Sequence, residues 1–374
     1  MSEEPAIPNI DFESINRSIA DRTNVFYWQT DRTLTPEQSL ELFWSGRHES
    51  ISYEELHEAV VKALPGRHVE FPVEDADHQN KLGNVNIVQN VIVDGVEHII
   101  RTHPRNLQNG YFHAEAEIAK RVKANGLNGF DTVVVADLGD VSDFAFIVVE
   151  KLQGINGAKL LELDPDANET IAFNMGATMA KLHQLDIIDS GFGPLDNEQA
   201  RTGKLAGIHD TYKEHITASL QSNVDLLVER EVITAHQGEK IVELLQQADL
   251  EPETARLVHN DFADWNLLFD KDTKEITGIL DYDESHAGHP IADIACWSTF
   301  FEPTRLEHFL MGYKQEADLP ENFQELFEVF RARYLMSKMT LRIRRYDVTG
   351  EDFVKDKIEH GTKHLAETLK YFDL

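Results

Sequence analysis

Cysteine is almost absent from this sequence, since Cys296 is the only one among 374 residues. A single thiol cannot form an intramolecular disulfide, and it cannot supply a cysteine-based metal cluster. The composition therefore excludes a disulfide-stabilised scaffold of the secreted kind. We expect Cys296 to serve helix packing.

Long apolar runs are also missing. No run approaches the ~18 residues that a membrane-spanning helix requires. The first residues, Met1-Ser2-Glu3-Glu4, are acidic and no apolar segment follows them, so we expect no secretory signal. These features predict a cytoplasmic protein with no membrane partner.

Basic residues are scarce, with 35 Lys and Arg against 66 Asp and Glu, which gives a net charge of −31. A field of this sign repels the phosphate backbone of nucleic acids, so no nucleic-acid partner is expected. It favours cationic small molecules or basic surfaces. Solvated helix faces that only keep the protein soluble are the other explanation, and both can hold. The length suffices for two or three domain-sized units.

The most informative segment is residues 259–266, which reads His-Asn-Asp-Phe-Ala-Asp-Trp-Asn. Asp261 precedes Asn266 by five positions, and an apolar run at 276–280 then ends at Asp281. In metal-assisted phosphoryl transfer, one Asp accepts the proton of the attacking hydroxyl, while an Asn and a second Asp hold a divalent cation against the nucleotide phosphates. Short strands on either side would aim these side chains into one cleft. The segment predicts a kinase-like enzyme.

The same residues could be ordinary turn residues, because Asp and Asn favour loops for their local hydrogen bonds. One match to this spacing would be weak evidence in a chain of this length. Here Gly288-His289-Pro290 and Asp293-Ile294-Ala295 follow at short range. We therefore interpret the combination as an active site.

This stretch resembles the phosphotransferase family of aminoglycoside and choline kinases, which are distant relatives of the protein kinases. The resemblance covers roughly residues 80–300. It implies an α+β, bilobal protein-kinase-like fold with a small antiparallel-sheet N-lobe and a large, mainly helical C-lobe. Asp261 would match the catalytic base, and Asn266 and Asp281 the Mg²⁺ ligands. His259 would be structural, hydrogen-bonded to the loop backbone.

The chain departs from the family pattern at two positions. Asn260 stands where the family usually has Gly, and His289 stands where a Gly-Asp-Pro sequence has Asp. These departures concern the local backbone geometry and the role of a third acid, and not the chemistry.

We predict three segments along the chain: an N-terminal helical extension at 1–64, a nucleotide-binding N-lobe at 65–153, and a C-lobe at 154–374 with the catalytic loop and the metal and substrate sites. In the extension, Ser52-Tyr53-Glu54-Glu55 is typical of a capped helix start. The aromatic cluster at 25–28 either docks a partner or packs onto its own domain, and we favour packing.

The predicted N-lobe has the element order of a kinase small lobe. Asp94-Gly95 lies between two alternating apolar runs and is the strongest hairpin signal in the chain. A helix is predicted from about 111 to 124, and two further strands at 133–135 and 144–150. Residues 147–152 would form the hinge, where the backbone from about Glu150 to Leu152 would pair with adenine.

A turn that contains Gly83 and Asn86 is predicted to lie over the nucleotide phosphates. Arg101 would contact the α- and β-phosphates, and Glu115 would orient it through a salt bridge, with Glu117 as the alternative partner. Each residue alone is weak evidence, because no full G-x-G-x-x-G sequence is present. The family more often has Lys at the position of Arg101, and Arg keeps the charge.

The predicted C-lobe is mainly helical. Apolar residues at helical spacing indicate a core helix around Met175 and Met179, with His183 as a core residue whose hydrogen bonds are satisfied. The loop at 190–195, with its Gly-Phe-Gly-Pro turn, is similar to one in hygromycin-type phosphotransferases and is expected to border the substrate cleft. The basic run at 342–345 is expected to offset a helix macrodipole. Further helical patterns lie at 207–220, 234–248, 291–315, 322–345 and 351–372.

The predicted reaction transfers the γ-phosphate of ATP or GTP, with Mg²⁺, to a small-molecule hydroxyl acceptor. The acidity favours a cationic acceptor such as an aminoglycoside, with Asp264, Asp283 and Glu284 as candidate ligands. Asp283 or Glu284 could instead serve the metal or cap the following helix. A kinase of a housekeeping metabolite, such as choline, ethanolamine, an amino alcohol or a sugar, is the alternative. The sequence does not determine the oligomeric state.

Two other functions fit less well. A protein kinase needs a long activation segment with an Ala-Pro-Glu-like end, whereas only a short loop follows Asp281 here, and Tyr282-Asp283 replaces the usual Phe-Gly. A catalytically inactive nucleotide-binding or scaffold protein would be expected to lack at least one residue of the motif. Asp261, Asn266 and Asp281 are all present.

Overall fold

The computed structural model describes residues 51–72, 81–82, 86–103, 105, 109–350 and 352–374. Their contacts form two compact units. The first unit contains the described residues up to 110 together with 134–148, and the second contains 111–133 together with 149–374. The predicted extension lies outside the described residues up to residue 50, and the predicted domain boundaries after residues 64 and 153 stay predictions.

The first unit begins with a capped helix, α1 (Tyr53–Ala63). The Ser52 hydroxyl accepts the Glu55 backbone N–H at 3.3 Å, and the Ser52 backbone N–H donates to Glu55 Oε2 at 2.8 Å. This reciprocal capping box confirms the predicted helix start. Hydrogen bonds from Ser52 lower the pKa of Glu55 to about 2, so the box is intact at neutral pH.

A six-stranded sheet follows, made of β1 (Val69–Glu70), β2 (Lys81–Leu82), β3 (Ile87–Val93), β4 (Val96–Thr102), β5 (Thr132–Ala136) and β6 (Phe146–Glu150). Its strand order is β1-β3-β4-β6-β5, with β2 paired to β3. β3 and β4 are antiparallel around the turn Asp94-Gly95, whose φ angles are 52° and 80°. Two positive φ angles are what a two-residue hairpin turn that follows the strand twist requires. The predicted hairpin is confirmed.

The second unit is mainly helical. Its helices are α2 (Phe112–Ala124), α3 (Gly157–Leu163), α4 (Asn168–Gln184), α5 (Asn197–Arg201), α6 (Tyr212–Thr217), α7 (Leu220–Glu229), α8 (Ala235–Gln247), α9 (Pro290–Ser298), α10 (Pro303–Glu316), α11 (Phe323–Thr349) and α12 (Asp352–Tyr371). Over the described ranges, none of the helices has both the length and the apolar character of a membrane span.

Two small antiparallel sheets complete this unit. Their strands are β7 (Ile155–Asn156), β8 (Phe192–Leu195), β9 (Gly207–His209), β10 (Arg256–Val258), β11 (Leu267–Phe269), β12 (Ile276–Ile279) and β13 (His286–Gly288). The strand orders are β10-β13-β8-β9 and β12-β11-β7. The segment 259–266 connects β10 to β11 and therefore joins the two sheets.

Three stretches differ from the prediction. The predicted helix at 207–220 contains β9 and the short helix α6, because residue 209 pairs with Phe192 of β8. The predicted loop at 190–195 contains β8 itself. The predicted helix at 291–315 is divided into α9 and α10, since Pro303 begins a new helix in its first turn.

Helices α4 and α10 cross in close contact at two glycines. A Cβ on Gly176 would lie 1.9 Å from the Phe309 carbonyl oxygen, and one on Gly312 would lie 1.9 Å from that of Phe173. A residue without a side chain is therefore needed at both positions. Met175 and Met179 of α4 are fully buried, as predicted for a core helix.

Candidate active site

The loop of residues 259–266 brings Asp261 and Asn266 into direct contact. It leaves β10 and ends in a 3₁₀ turn, Asp264–Asn266, from which β11 begins. Nδ2 of Asn266 donates to the Asp261 carbonyl oxygen at 2.9 Å and to Asp261 Oδ2 at 2.7 Å. The predicted spacing thus produces one compact cluster.

Asp281 reaches this cluster from β12. That strand pairs with β11, and the Leu280 N–H donates to the Asn266 carbonyl oxygen at 2.9 Å. Asp281 follows at once, and its carboxylate is near enough to Asp261 to disfavour a second negative charge there. The structure therefore brings together the three residues singled out by the motif.

The pKa of the Asp261 carboxyl is raised. Burial is the main cause, because it disfavours the charged form. The Lys338 ammonium opposes this shift by favouring the carboxylate, and the Asp281 carboxylate adds to it. A carboxylate whose pKa moves towards neutrality accepts a proton more readily than an ordinary Asp.

Two residues of the cluster have a left-handed backbone, with φ of 69° at Asn260 and 63° at Asp281. Asn and Asp tolerate this region better than other residues that carry a Cβ. Asn260 therefore adopts a backbone conformation that also suits glycine, the residue usual in the family at this position. Its side chain donates to Glu284 Oε2 at 3.0 Å, and its carbonyl accepts from Cys296 Sγ at 2.9 Å.

Asp293 holds the loop through its backbone. Its Oδ2 accepts the His259 N–H at 2.7 Å, and its Oδ1 accepts the Asn260 N–H at 3.0 Å. His183 lies 3.2 Å from Oδ2 and bonds Tyr313 through its other nitrogen, as expected for a satisfied core histidine. Burial alone would raise the pKa of Asp293. The hydrogen bond and the charge of His183, followed by smaller contributions from His259, act in the opposite direction and lower this pKa overall.

The sequence indicated Asp293 only as part of a supporting motif, and its bonds to the loop were not predicted. The only local signal is an acid in the first turn of α9, behind Pro290. Such an acid is common near helix N-termini, where it interacts favourably with the macrodipole. Only the folded chain shows that it binds the loop instead.

Both histidines of the motif have structural roles. Nε2 of His259 lies 3.0 Å from the Leu280 carbonyl oxygen, which confirms the predicted bond to the loop backbone. His289 is the N-cap of α9, and its Nδ1 accepts the Ile291 N–H at 3.1 Å. Burial lowers the pKa of His289 to about 4, so the ring is neutral at pH 7 and keeps the lone pair that caps the helix. A histidine thus occupies the position of the third acid.

Of the three acids predicted to bind a cationic acceptor, Asp264 is already paired. Arg305 donates to both of its oxygens, at 2.8 and 3.0 Å, and both residues are buried. This bidentate pair holds the loop, and the binding of an acceptor by Asp264 stays a prediction. Asp283 is 7% exposed, and Glu284 accepts from Asn260.

The predicted phosphate-binding residues of the first unit are partly described. Gly83 lies outside the described residues. Asn86 is buried, with Oδ1 3.4 Å from Nδ1 of His103. Arg101 lies on β4 opposite Val88. Their contacts with a nucleotide stay predictions.

The predicted partners of Arg101 both lie on α2. Glu115 is in the first turn of this helix and is fully buried. Glu117 instead pairs with Lys120 and Arg121 of its own helix, at 2.8 and 2.9 Å. This occupies Glu117 within α2, and the salt bridge between Arg101 and Glu115 stays a prediction.

At the predicted hinge, the Glu150 N–H donates to the Asp131 carbonyl oxygen at 2.8 Å, so this donor is already used. The Glu150 carboxylate accepts from Lys123 at 2.5 Å. Leu152 lies next to Gly278 of β12. The predicted pairing of this backbone with adenine stays a prediction.

The oxygen donors of the cluster fit a magnesium ion. Because Nδ2 of Asn266 is committed to Asp261, its Oδ1 is the atom that remains for a metal, and Asp281 supplies a carboxylate. Mg²⁺ prefers such hard oxygens and usually takes its other ligands from phosphates and water. Within the described part of the chain, no group of three His, Cys, Asp or Glu is suited to a metal. The cluster thus offers two ligands and not a complete cage.

Known proteins resemble this chain at low identity. It is 23% identical over 289 residues to acyl-CoA dehydrogenase family member 11 of Gallus gallus, a match that covers 74% of this chain and 35% of that protein. It is 25% identical over 228 residues to an aminoglycoside 3'-phosphotransferase of Streptomyces ribosidificus, covering 59% of this chain and 80% of that one. The chain thus spans about a third of the chicken relative, and 21% of acyl-CoA dehydrogenase family member 10 of Mus musculus.

Solved structures share the fold. A thermostable mutant of the aminoglycoside phosphotransferase APH(4)-Ia, in complex with ADP and hygromycin B, has a TM-score of 0.58 at 15% identity over 84% of this chain and 98% of that one. The GDP complex of aminoglycoside 2'-phosphotransferase-IIIa has a TM-score of 0.52 at 17% identity, over 85% and 98%. The predicted α+β fold of the protein-kinase-like class is confirmed.

The sequence profile of the phosphotransferase enzyme family (APH) matches residues 88–326. This range exceeds half of the chain and contains the cluster of Asp261, Asn266 and Asp281 with the strands that carry it. The chain therefore belongs to the phosphotransferase enzyme family.

Proposed function

We propose that this chain is a small-molecule kinase that transfers the γ-phosphate of ATP or GTP to a hydroxyl group. The observation that carries the proposal is the 2.7 Å contact between Asp261 and Asn266, beside the carboxylate of Asp281. Membership of the family supports the reaction class. Complexes of the matched phosphotransferases with ADP and GDP support a nucleotide donor.

Asp261 is the proposed general base. Its Oδ2 accepts from the Asn266 amide at 2.7 Å and lies 3.4 Å from Nε1 of Trp265, which orients the carboxylate. No donor among the described residues contacts Oδ1, so this oxygen is the one that would take the proton of the acceptor hydroxyl. The hydroxyl oxygen would then bond to the γ-phosphorus, as the bond from phosphorus to the leaving nucleoside diphosphate breaks.

Asn266 and Asp281 are the proposed magnesium ligands, through Oδ1 and the carboxylate. When bound, the ion would neutralise charge on the phosphate oxygens. The 2.9 Å hydrogen bond from the Leu280 N–H to the Asn266 carbonyl oxygen keeps these two segments adjacent. The protein therefore holds the two ligands in a fixed relation without the metal.

The proposed nucleotide-binding residues lie on elements that occur in the expected order. The β3–β4 hairpin comes first, followed by α2, β5 and β6. This order supports a kinase small lobe. The residues proposed to bind the nucleotide are Gly83, Asn86, Arg101, Glu115, Glu150 and Leu152.

The proposed acceptor is a small hydroxylated molecule. The net charge of −31 and the names of the matched phosphotransferases support an aminoglycoside or another cationic compound. A housekeeping metabolite is the alternative acceptor. Asp264, one of the three acids proposed to bind a cationic acceptor, forms an ion pair with Arg305 at 2.8 Å.

The experiment that tests the proposal is transfer of labelled γ-phosphate from Mg-ATP or Mg-GTP to a panel of acceptors. The panel contains aminoglycosides, choline, ethanolamine, amino alcohols, sugars and hydroxy acids, and Asp261→Asn is the control. Transfer that depends on Asp261 supports the proposal. Nucleotide binding without transfer to any acceptor would contradict it and indicate a nucleotide-binding protein.

A further inference from the structure

A buried lysine lies beside the candidate active site. Lys338 is on α11, and only 8% of its surface is exposed. Its Nζ lies 3.2 Å from the centroid of the Phe300 ring, and it donates no hydrogen bond to any residue that the structure describes. An ammonium group has three N–H donors, and burial without a hydrogen-bonding partner is costly. The N–H groups of Lys338 are therefore suited to donate hydrogen bonds to a bound anion.

A continuous series of contacts links Lys338 to Asp261. The Phe300 ring packs edge-on against Trp265, with centroids 5.4 Å apart, and Nε1 of Trp265 lies 3.4 Å from Asp261 Oδ2. Trp265 is 46% exposed, so part of its ring is accessible from solvent. Trp265 and Phe300 thus form an aromatic wall between the base and the lysine.

The charged groups that face Lys338 are the carboxylates of Asp261 and Glu284 and the guanidinium of Arg342, and Asp261 already accepts the Asn266 amide at 2.7 Å. Asp264 is neutralised by Arg305, whose guanidinium also lies 4.1 Å from the Phe301 ring centroid. Glu284 already accepts the amide of Asn260 at 3.0 Å. Two acids that would bind an ammonium group are thus already engaged, whereas Lys338 donates to no described residue.

A second cation lies one helical turn beyond Lys338. Arg342 is partly buried, and its Nη1 donates to the Lys357 carbonyl oxygen at 3.0 Å. Residues four apart share a helix face, and the two positive charges interact. A polycationic acceptor at the aromatic wall would meet like charges here, which disfavours its binding.

We propose that the acceptor of this kinase carries an anionic group, a carboxylate or a phosphate ester, which Lys338 binds while Trp265 and Phe300 pack against the carbon skeleton. The inference rests on the proposed function, because it names the acceptor class of the same site. It proposes an acidic hydroxy compound as the acceptor, beside the cationic compound and the housekeeping metabolite named above. Lys338 is then a specificity-determining residue.

The test is binding of three ring compounds that differ in charge: benzoate, phenyl phosphate and benzylamine. Binding is measured by calorimetry in the presence of Mg-AMP-PNP, so that a nucleotide fills the phosphate sites. We expect the wild type to bind benzoate or phenyl phosphate and to bind benzylamine more weakly. The two anions distinguish a carboxylate acceptor from a phosphate ester.

Two variants and one control isolate the lysine. Lys338→Met is expected to weaken anion binding by about 10- to 100-fold, the worth of a charge-assisted hydrogen bond. Lys338→Arg keeps the charge and is expected to retain most of the binding. Lys357→Met is the matched control, because this exposed lysine lies 5.4 Å from the Phe353 ring centroid on the next helix. It is expected to bind the anions as the wild type does.

Three results would overturn the inference: no anion binding by the wild type, tighter binding of benzylamine, or unchanged anion binding in Lys338→Met. An equal loss of AMP-PNP binding in Lys338→Met would also overturn it, since the lysine would then serve the nucleotide. The probes carry no alcohol to phosphorylate, so these results do not depend on turnover. A chain that transferred phosphate to cationic acceptors only would fail this inference and keep the kinase function. A chain that bound anions through Lys338 without transferring phosphate would fail the kinase function.

Discussion

Asp293 holds the backbone of the candidate catalytic loop. It is 1% exposed, and its two oxygens accept the backbone N–H groups of His259 and Asn260 at 2.7 and 3.0 Å. A buried N–H group that loses its acceptor costs about 1–3 kcal/mol. One carboxylate therefore stabilises the backbone immediately before the candidate base.

We expect Asp293→Ala to lower the free energy of unfolding by about 2–5 kcal/mol, because it leaves two buried N–H groups without an acceptor. Urea denaturation measures this change. Glu243→Ala is the control: it removes an exposed ion pair with Lys240 and is expected to leave the free energy of unfolding almost unchanged. Equal stability of Asp293→Ala and the wild type would rule out this role of Asp293.

The role proposed for Asp281 differs from the role proposed for Asp261, and a binding measurement separates the two. Asp281→Ala removes a proposed metal ligand, so we expect Mg-ATP to stabilise this variant much less than the wild type against heat. Thermal shifts with ATP, measured with and without Mg²⁺, test this expectation. A Mg-dependent shift equal to that of the wild type would argue against metal binding by Asp281.

Helix α9 links the loop to the rest of the second unit. Its N-cap is His289, whose neutral ring accepts the Ile291 N–H at 3.1 Å, and its first turn carries Asp293. Cys296 from the same helix donates to the Asn260 carbonyl oxygen at 2.9 Å. Residues of α9 thus hold the loop through three hydrogen bonds. Loss of the His289 cap is therefore expected to affect the loop as well as the helix.

The cap should make stability depend on pH. Burial lowers the pKa of His289 to about 4 in the folded chain, against 6.5 for an ordinary histidine. Between pH 6.5 and about pH 4, the unfolded chain binds a proton at this residue and the folded chain does not. The contribution of the neutral ring to the free energy of unfolding is therefore fully present above the unfolded pKa and is lost as the pH falls through this range. Asn also caps helices but does not titrate. When the pH falls from 7 to 5, we therefore expect the free energy of unfolding of His289→Asn to decrease by about 2 kcal/mol less than that of the wild type.

Urea denaturation at the two pH values measures this difference. His289→Ala is the companion variant, because it removes the cap at both pH values and should cost about 0.5–2 kcal/mol at pH 7. An identical pH dependence in the wild type and in His289→Asn would show that His289 does not carry the effect.

At the level of elements, the sequence predicts structure well where the determinants are local. The capping box at Ser52 and the Asp94-Gly95 hairpin both depend on residues within a few positions of each other, and both are confirmed. Strand β9 was missed because its three residues are held by pairing with β8, to which sequence periodicity gives no access. Pro303 is the local signal for the division between α9 and α10. The helical pattern over 291–315 continues across this proline and therefore predicts a single helix.

For the molecule as a whole, the sequence indicates the loop at 259–266 as the candidate site but not what surrounds it. The bonds from Asp293 to His259 and from Arg305 to Asp264 join residues 34 and 41 positions apart. No spacing rule connects such residues, since only the folded chain brings them together. The same holds for Lys338, which is distant in sequence yet acts electrostatically on Asp261.

The net charge describes the whole chain and not the surroundings of the candidate site. The value of −31 pointed to a cationic acceptor. Most charges lie on the surface, where salt screens them beyond about 8–10 Å. The buried Lys338 and the Asp264–Arg305 pair lie beside Asp261, where salt screens charges less. The anionic acceptor inferred from Lys338 and the cationic acceptor suggested by the net charge are therefore separate predictions.

The measurement that tests the central claim most directly is phosphoryl transfer by Asp261→Asn, with Mg-ATP affinity measured on the same preparation. Asn keeps the shape of the side chain but cannot accept the proton of the hydroxyl. We predict that transfer falls by about 10²- to 10⁴-fold, while the affinity for Mg-ATP changes little. Transfer within about threefold of the wild type would contradict the assignment of Asp261 as the base.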